Sequence, residues 1–375
     1  MEIKPFKVEQ WMNEYEQHAV YNIAETCVDS ISLDELFALS GTDREEFLQA
    51  VTGSKLTYGH IEGSPELRRG ICSLYRTLTP ENVIPAHGAI GANHLVFYSL
   101  LRSSDNVVSV SPTYQQLYSI PESYGCEVRI LKLRRENGFL PDLGELRTLV
   151  DGKTRLICVN NPNNPSGALM PNAMLHEIAE IAASAGAYVL CDEVYRGLNQ
   201  EAVDTPSMAD IYPKGISVSS MSKIFSLAGL RMGWIATADG EALRLLMEHR
   251  DYNTISCGVL DDLFSSLALE SAPAILERNR RIVRNNLALL DRWVADEPLI
   301  DYVKPAAGTT ALLFYDLGVD SQTFCTELFR QTGVFLTPGA CFDMDRCVRI
   351  GYACAADVLE AGLKGLSGYL RSGSR

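Results

Sequence analysis

The strongest constraint on the fold of this chain is an alternation of short apolar runs with helical stretches between Ile84 and Ile235. The apolar runs are rich in β-branched residues and read NVVSVS, EVRILKL, RLICVNN, AYVLCDE and GISVSS. Strands that alternate with helices pair in parallel and are covered by helices on both faces. The pattern therefore predicts an α/β domain with a mostly parallel sheet flanked by helices.

The length of the chain predicts a second, smaller domain. With 375 residues it exceeds the size that one hydrophobic core usually serves, roughly 250 to 300 residues. The C-terminal part alternates again, with TTALLFYDL, GVFLTPGACF and CVRIGYA as expected strands and DVLEAGLKGLSGYL as a closing helix. We expect residues 1–44 to form an N-terminal arm that belongs to a small α+β domain, residues 45–245 the large cofactor-binding domain, and residues 246–375 the C-terminal small domain.

Charge and hydropathy exclude several classes of partner. The net charge of −14 and the absence of a basic stripe oppose binding to nucleic acid or to an anionic membrane. No apolar run approaches the roughly 20 residues that span a bilayer, and the N-terminus lacks the pattern of a signal peptide. The ten cysteines form no CxxC pair, so we expect no metal site. A cytoplasmic location is the prediction.

A single lysine stands in the small-residue loop of SVSSMSKIFSLAGLRMGW, between two expected strands. The flanking residues of Lys223 include no acidic side chain that would pair with it. A desolvated lysine has a lowered pKa, as Schiff-base chemistry requires. A solvated loop lysine is the alternative interpretation of this stretch.

Two other stretches contain groups that bind an anion or an oxygen atom. In HGAIGA, residues Gly88, Ala89 and Ile90 open an apolar helix, whose N–H groups would point at a phosphate. Many helices begin in this way, so this signal is weak alone. In VNNPNNPSG, Asn164 would present a side-chain donor from a proline-rich turn, although a plain turn also explains the motif.

The remaining polar groups complete one ligand. Asp192 ends an apolar strand and needs a partner there, either a protonated ring nitrogen or a lysine or arginine. Tyr195 follows closely enough to reach the same ligand. Arg231, with Ser220 and Ser222, would close on a phosphate whose other side meets the helix start. Together with Lys223, these groups describe pyridoxal 5′-phosphate joined to a lysine.

The ordered set of Tyr58, HGAIGA, SPTY, NPNNPSG, DEVY, SxSK, GLRMGW and VRIGYA resembles the class I/II aminotransferases, which are fold-type I pyridoxal-phosphate enzymes. The resemblance covers essentially the whole chain. It implies a sheet of the seven-stranded type, a homodimer with shared active sites, and the transfer of an amino group between an α-amino acid and a 2-keto acid.

The resemblance also implies a role for each matching residue. Lys223 would form the Schiff base and shuttle a proton, and Asp192 would keep the pyridine nitrogen protonated. Asn164 and Tyr195 would bond the phenolic oxygen, and Tyr114 would stack on the ring. The phosphate would be held by Gly88, Ala89, Ile90, Ser220, Ser222 and Arg231, with Tyr58 reaching it from the neighbouring subunit. Arg349 would bind the substrate α-carboxylate, with Asn164 close by.

Two departures from the family pattern leave a second reaction class open. The phosphate turn has Ala89 and Ile90 in place of a serine or threonine, and the N-terminal arm reads NIAETCVDSIS where a glycine-containing substrate loop is usual. In these features the chain is similar to the capreomycidine synthase branch, which cyclises its substrate. The alternative is therefore a lyase or cyclase that uses the same cofactor for β/γ elimination or replacement, including C–S lyase chemistry.

Overall fold

The computed structural model describes residues 2–202 and 205–373, which form fourteen α-helices and thirteen strands. The strands are β1 Tyr21–Asn22, β2 Val83–His87, β3 Asn106–Ser111, β4 Glu127–Lys132, β5 Thr154–Asn160, β6 Tyr188–Asp192, β7 Gly215–Ser220, β8 Met232–Ala236, β9 Ile300–Tyr302, β10 Thr310–Tyr315, β11 Val334–Phe335, β12 Thr337–Pro338 and β13 Cys347–Gly351. The helices are α1 Lys7–Tyr15, α2 Leu33–Ser40, α3 Arg44–Gly53, α4 Pro65–Cys72, α5 Gly88–Leu100, α6 Gln116–Ser123, α7 Leu143–Leu149, α8 Asn172–Ala185, α9 Met208–Ile211, α10 Gly240–Arg250, α11 Val259–Glu270, α12 Ala272–Asp296, α13 Ser321–Thr332 and α14 Ala356–Gly373.

The main sheet has seven strands in the order β2-β8-β7-β6-β5-β3-β4. The neighbours from β7 to β4 are parallel, and β8 runs antiparallel to both β7 and β2. The predicted α/β architecture with a mostly parallel sheet is therefore confirmed. Because β5, β6 and β7 are parallel, their carboxyl ends meet at the same edge of the sheet.

The central strands are apolar on both faces because helices cover both sides of the sheet. Strands β6, β7 and β8 are buried at every position. Along β6, Val189 and Cys191 belong to one hydrophobic cluster, while Tyr188 and Leu190 belong to another. This division follows the two-residue period of a strand. Burying one large apolar side chain contributes about 1.5 to 3 kcal/mol, so the two-sided core makes this edge a rigid platform.

The C-terminal segment builds a four-stranded antiparallel sheet in the order β12-β13-β10-β9. The N-terminal arm joins this segment through β1, which pairs in parallel with β11. The indole nitrogen of Trp11 on α1 also donates a 2.8 Å hydrogen bond to the carbonyl of Leu336. Arm and C-terminal segment thus form the expected smaller α+β unit, and the division at residues 44 and 245 stays a prediction.

The expected strand GVFLTPGACF is wrong as a single element. The structure divides it into β11, β12 and a 3₁₀ turn over Gly339–Phe342. Strand β11 pairs with β1, whereas β12 pairs with β13, so the chain changes sheets between them. Pro338 has no backbone N–H with which to extend a ladder, and the strand therefore ends there.

The sequence places candidate N-caps at Ser32 and Ser64, and both helix starts are confirmed. The Ser32 hydroxyl accepts from the N–H of Glu35 at 3.1 Å, and the Glu35 carboxylate accepts from the N–H of Ser32 at 2.7 Å, which is a capping box. Ser64 caps α4, with Pro65 as its first residue. Across the described residues, no helix combines the length and the apolar character needed to cross a membrane.

Candidate active site

A cleft of about 330 Å³ lies at the carboxyl edge of the main sheet. Strand β5 ends at Asn160, β6 at Asp192 and β7 at Ser220, and all three side chains line the cleft. Eleven of the residues predicted from sequence line it as well: Ala89, Ile90, Tyr114, Asn164, Asp192, Tyr195, Ser220, Ser222, Lys223, Arg231 and Arg349. Ligands in open α/β sheets bind at this edge, so the cleft is the candidate active site.

Asp192 is buried and is held by neutral donors. Its Oδ2 accepts a 2.9 Å hydrogen bond from the Asn93 amide, and its Oδ1 accepts from the N–H of Val194 at 3.3 Å. Burial raises the pKa of Asp192 to about 6, although both hydrogen bonds act to lower it. Among the described residues no lysine or arginine forms an ion pair with this carboxylate. The carboxylate therefore suits a protonated nitrogen of a bound ligand.

Lys223 is half-buried, and its Nζ donates to Thr26 Oγ1 at 2.6 Å and to Cys27 Sγ at 3.4 Å. The predicted lowering of its pKa is wrong. An acidic residue does act on it, because the arm brings Glu25 into the same cleft. Burial acts to lower the pKa of Lys223, but Cys27, Tyr195 and Glu25 outweigh burial and raise it above its usual value.

The amino end of α5 forms a seat for an anion. The helix begins at Gly88 in a left-handed conformation, with φ of 67°, and no side chain caps its free N–H groups. Strand β8 passes so close beneath that a Cβ on Gly233 would lie 2.3 Å from the carbonyl carbon of Gly88. A Cβ on Gly88 would lie 3.1 Å from Nη2 of Arg231. The close approach requires glycine at Gly233, and the left-handed φ favours glycine at Gly88.

The loop after β7 supplies the other side of the seat. The N–H of Ser222 donates to Ser220 Oγ at 3.3 Å, and Ser220 is buried. Arg231 has a left-handed backbone, with φ of 48°, and its Nη1 donates to the carbonyl of Ala228 at 2.9 Å. This bond orients the exposed guanidinium beside Gly88. Hydroxyl, guanidinium and helix N–H groups together make a donor set suited to a phosphate.

Arg349 on β13 is 2% exposed and is surrounded by neutral acceptors. Its Nη1 donates to Asn164 Oδ1 at 3.2 Å, and its Nη2 donates to Thr337 Oγ1 and to the Ala24 carbonyl, both at 3.1 Å. Its Nε has no hydrogen-bond partner within the described residues. Burial lowers the pKa of Arg349. A carboxylate would satisfy the free N–H and neutralise the buried charge.

The three tyrosines predicted for the site differ in their burial and in their distance from the cleft. Tyr195 is buried in the cleft, and burial raises the pKa of its hydroxyl. The hydroxyl of Tyr114 donates to Glu9 Oε1 at 2.5 Å, which ties the ring to α1. Tyr58 is 75% exposed and does not line the cleft of its own chain.

Sequence reasoning missed several residues that line the cleft. Asn93 is an amide side chain within the apolar stretch of α5, and it is buried. A polar residue at such a position indicates a specific contact, so the sequence could have revealed it. Thr26 and Glu25 lie in the arm segment NIAETCVDSIS, where nothing in the local pattern indicates contact with Lys223. Their place in the site depends on the pairing of β1 with β11.

Comparison with known proteins identifies the family. The model for "Aminotransferase class I and II" matches residues 41–366. The chain belongs to this family. It is 30% identical to capreomycidine synthase of Streptomyces vinaceus, over 98% of this chain and 94% of the relative.

Two solved structures are similar to this chain over nearly its whole length. A PLP-dependent aminotransferase from Streptococcus suis is 46% identical, with a TM-score of 0.97 and complete coverage of both chains. A PLP-dependent cyclase, OrfR, is 25% identical, with a TM-score of 0.89 and coverage of 99% of this chain and 98% of the other. Membership of the aminotransferase family implies pyridoxal 5′-phosphate as the cofactor, and the donor groups of the cleft fit it.

Proposed function

We propose that this protein is an aminotransferase that moves an amino group between an α-amino acid and a 2-keto acid. The observation that carries the proposal is the meeting of Lys223, Asp192 and Arg349 around one cleft. A lysine, a buried carboxylate and a buried guanidinium are the groups needed by a pyridine cofactor and an α-carboxylate. The likeness to the aminotransferase of Streptococcus suis supports the same conclusion.

Different residues of the cleft would bind different parts of the cofactor. Asp192 would hold a proton on the ring nitrogen, since its carboxylate has only neutral donors of its own. Asn164 and Tyr195 would bond the phenolic oxygen, and Tyr114 would cover the ring. The phosphate would lie among Gly88, Ala89, Ile90, Ser220, Ser222 and Arg231. When bound, pyridoxal phosphate supplies a sink for the electron pair left at the substrate α-carbon.

The substrate would be oriented by Arg349 and deprotonated by Lys223. The unpaired Nε of Arg349 and one neighbouring Nη would form a fork on the α-carboxylate, with the Asn164 side chain beside it. Lys223 would hold the cofactor covalently and then, freed by the substrate, take the proton from the α-carbon.

A cyclase or lyase is the second candidate. It is favoured by the 30% identity to capreomycidine synthase and by the likeness to the cyclase OrfR. Lys223, Asp192 and Arg349 would serve that reaction in the same places. The two reactions differ after the α-proton has been removed, because in the second a leaving group departs from a neighbouring carbon of the substrate.

We further propose a homodimer in which Tyr58 reaches the phosphate of the partner subunit. Tyr58 is exposed in the single chain, and Arg231 at the phosphate seat is exposed as well. A second copy of the chain would bury both. Each site would then contain residues from two subunits.

The test is a panel of amino acids added to the holoenzyme. Transamination predicts conversion of the cofactor absorbance to the pyridoxamine form, release of a 2-keto acid, and reversal when a 2-keto acid is added. Release of ammonia, or formation of a cyclic product without that conversion, would favour the second candidate. A purified protein that is colourless and indifferent to added cofactor would overturn both.

A further inference from the structure

Three carboxylates from the N-terminal arm line the same cleft as Lys223. Glu9 lies on α1, Glu16 directly follows α1, and Glu25 follows β1. We call these three residues the arm carboxylates. None of them takes part in the proposed handling of the cofactor or of the substrate α-carboxylate, so their presence in the cleft needs a separate explanation.

Each arm carboxylate accepts a hydrogen bond through its Oε1 atom. Oε1 of Glu9 accepts from the Tyr114 hydroxyl, Oε1 of Glu16 from the Asn22 amide at 3.3 Å, and Oε1 of Glu25 from two backbone N–H groups at 2.8 and 2.9 Å. Glu16 and Glu25 also interact with each other, and the Cys27 side chain interacts with Glu25. Over the described part of the chain, none of the three forms an ion pair within 4 Å with a lysine or arginine side chain. No arm carboxylate is therefore held in a direct ion pair by a described residue.

The like charges act on one another. Burial raises the pKa of Glu16, and the carboxylates of Glu25 and Glu9 raise it further. Glu25 differs, because Lys223 and the N–H groups that it accepts from outweigh its burial and lower its pKa. Negative charges held together in a partly desolvated place destabilise one another, and a cation placed among them relieves the repulsion.

The charges of the cleft do not balance without a further cation. Under the proposed function, Lys223 carries the cofactor, Arg231 faces its phosphate and Arg349 faces the substrate α-carboxylate. Asp192 is matched by the protonated ring nitrogen. The arm carboxylates are then left without a permanent cation, and a substrate that brought a positive side chain would supply one.

Two buried atoms independently indicate that a polar ligand completes this cleft. Nε of Arg349 and Oδ1 of Asn93 both lack a partner within the described residues, and both residues are at least nine-tenths buried and line the cleft. A buried polar atom without a partner is energetically unfavourable. A ligand with a carboxylate and several N–H groups would satisfy the atoms of the cleft that remain free.

Resting on the proposed function, we infer that the substrate is an amino acid with a cationic side chain, bound with its α-carboxylate on Arg349 and its side-chain charge among the arm carboxylates. Three separate acceptors suit a guanidinium, which presents five N–H donors in one plane. An ammonium group has three donors around a single point and would engage the same carboxylates less completely.

The test compares side chains of equal shape and different charge on the holoenzyme. L-Arginine and L-citrulline differ by replacement of the guanidinium with a neutral urea group. The initial absorbance change after rapid mixing, before the cofactor is converted, gives the Kd for each from its saturation with concentration. We expect arginine to bind about 10-fold to 100-fold more tightly than citrulline, the range for hydrogen bonds to a charged group. Lysine should fall between them.

Substitutions that remove charge at constant shape locate the effect. Glu16→Gln and Glu25→Gln should each weaken arginine binding about 10-fold or more and leave citrulline binding within about 3-fold. Glu14→Gln is the matched control, since Glu14 lies on the exposed side of α1 and does not line the cleft.

The outcomes separate this inference from the proposed function. Citrulline or norleucine binding as tightly as arginine, with keto-acid formation intact, would overturn the cationic side chain and leave the aminotransferase standing. If no amino acid of any charge perturbed the cofactor absorbance, the proposed function would be overturned, and this inference with it.

Discussion

Two ends of the cleft differ in how their side chains are held. At the sheet end, Asn164, Asp192 and Ser220 are at most 6% exposed. Asp192 and Ser220 end strands that are buried at every position, and Asn164 follows β5. At the arm end, the arm carboxylates are partly exposed and come from short elements joined by loops. Substitutions at the sheet end would therefore disturb the core, whereas the arm end can accept different side chains without disturbing it.

Because of this difference, we expect the sheet end to bind the cofactor and the arm end to bind the substrate side chain. The sheet end presents groups that match a phosphorylated pyridine ring, and family membership implies that ligand. The arm end presents three acidic side chains, one of which, Glu25, lies in the segment NIAETCVDSIS, where the family pattern usually has a glycine-containing loop. Relatives named as an aminotransferase and as a cyclase share the fold, so specificity and reaction type are expected to vary at the arm end.

The largest effect is expected at the sheet end, from Lys223→Ala. Loss of the amine that carries protons should lower turnover by about 1,000-fold or more. The measurement is the steady-state rate of keto-acid formation with saturating cofactor. Lys153→Ala, on an exposed turn, should keep the wild-type rate. If the turnover of Lys223→Ala were within about 10-fold of the wild-type turnover, the sheet end would not be the end that carries the chemistry.

A smaller effect is expected from Asp192→Asn. Its pKa of about 6 lies above the ordinary 3.8 because of burial, so the folded protein binds a proton more readily than the unfolded chain does. Without cofactor, the free energy of unfolding should fall by up to about 3 kcal/mol as the pH rises from about 4 to about 6. Asp192→Asn should abolish this slope in denaturant titrations and should lower turnover of the holoenzyme about 100-fold.

Asp251→Asn, on an exposed carboxylate after α10, is the control for that slope. If the pH dependence were unchanged in Asp192→Asn, the burial of this carboxylate would not contribute to the pH dependence of the free energy of unfolding. Turnover that survived the same substitution would show that the ring nitrogen does not depend on the negative charge.

The smallest effect is expected from Gly233→Ala beneath the anion seat. Its Cβ would lie 2.3 Å from the carbonyl carbon of Gly88 and 2.6 Å from the nitrogen of Ala89, so the backbone must move. Overpacking of this kind destabilises a protein by about 1 to 3 kcal/mol. Both thermal stability and retention of cofactor through gel filtration should fall.

Gly229→Ala is the matched control, because a Cβ there would meet nothing within 4 Å. If both variants kept the cofactor equally well, close packing at the seat would not be a requirement of the sheet end.

Much of the fold and half of the site follow from local sequence. The runs NVVSVS and GISVSS coincide with β3 and β7, and Ser32 and Ser64 begin helices as their capping patterns predict. These signals are local, since alternation and caps depend on neighbours in the chain. The break in GVFLTPGACF was missed because it depends on two different strand partners.

The environment of Lys223 is formed by residues that are distant from it in sequence. Its flanking residues include no acidic side chain and predict a lowered pKa, but Glu25 from the arm contributes to raising the pKa of Lys223. Thr26, which bonds its Nζ, is separated from it by 197 residues. Asn93 beneath Asp192 belongs to the same class of contact, since 99 residues separate the two.

The sequence by itself determined the parallel α/β sheet, the loop lysine and the polar residues at the strand ends, because each depends on a short stretch of chain. Only the tertiary structure decided which charges surround that lysine. The pairing of β1 with β11 brings the arm against the C-terminal segment, and Glu9, Glu16 and Glu25 thereby line the cleft. Electrostatic interactions depend on distance through space, and packing alone sets that distance.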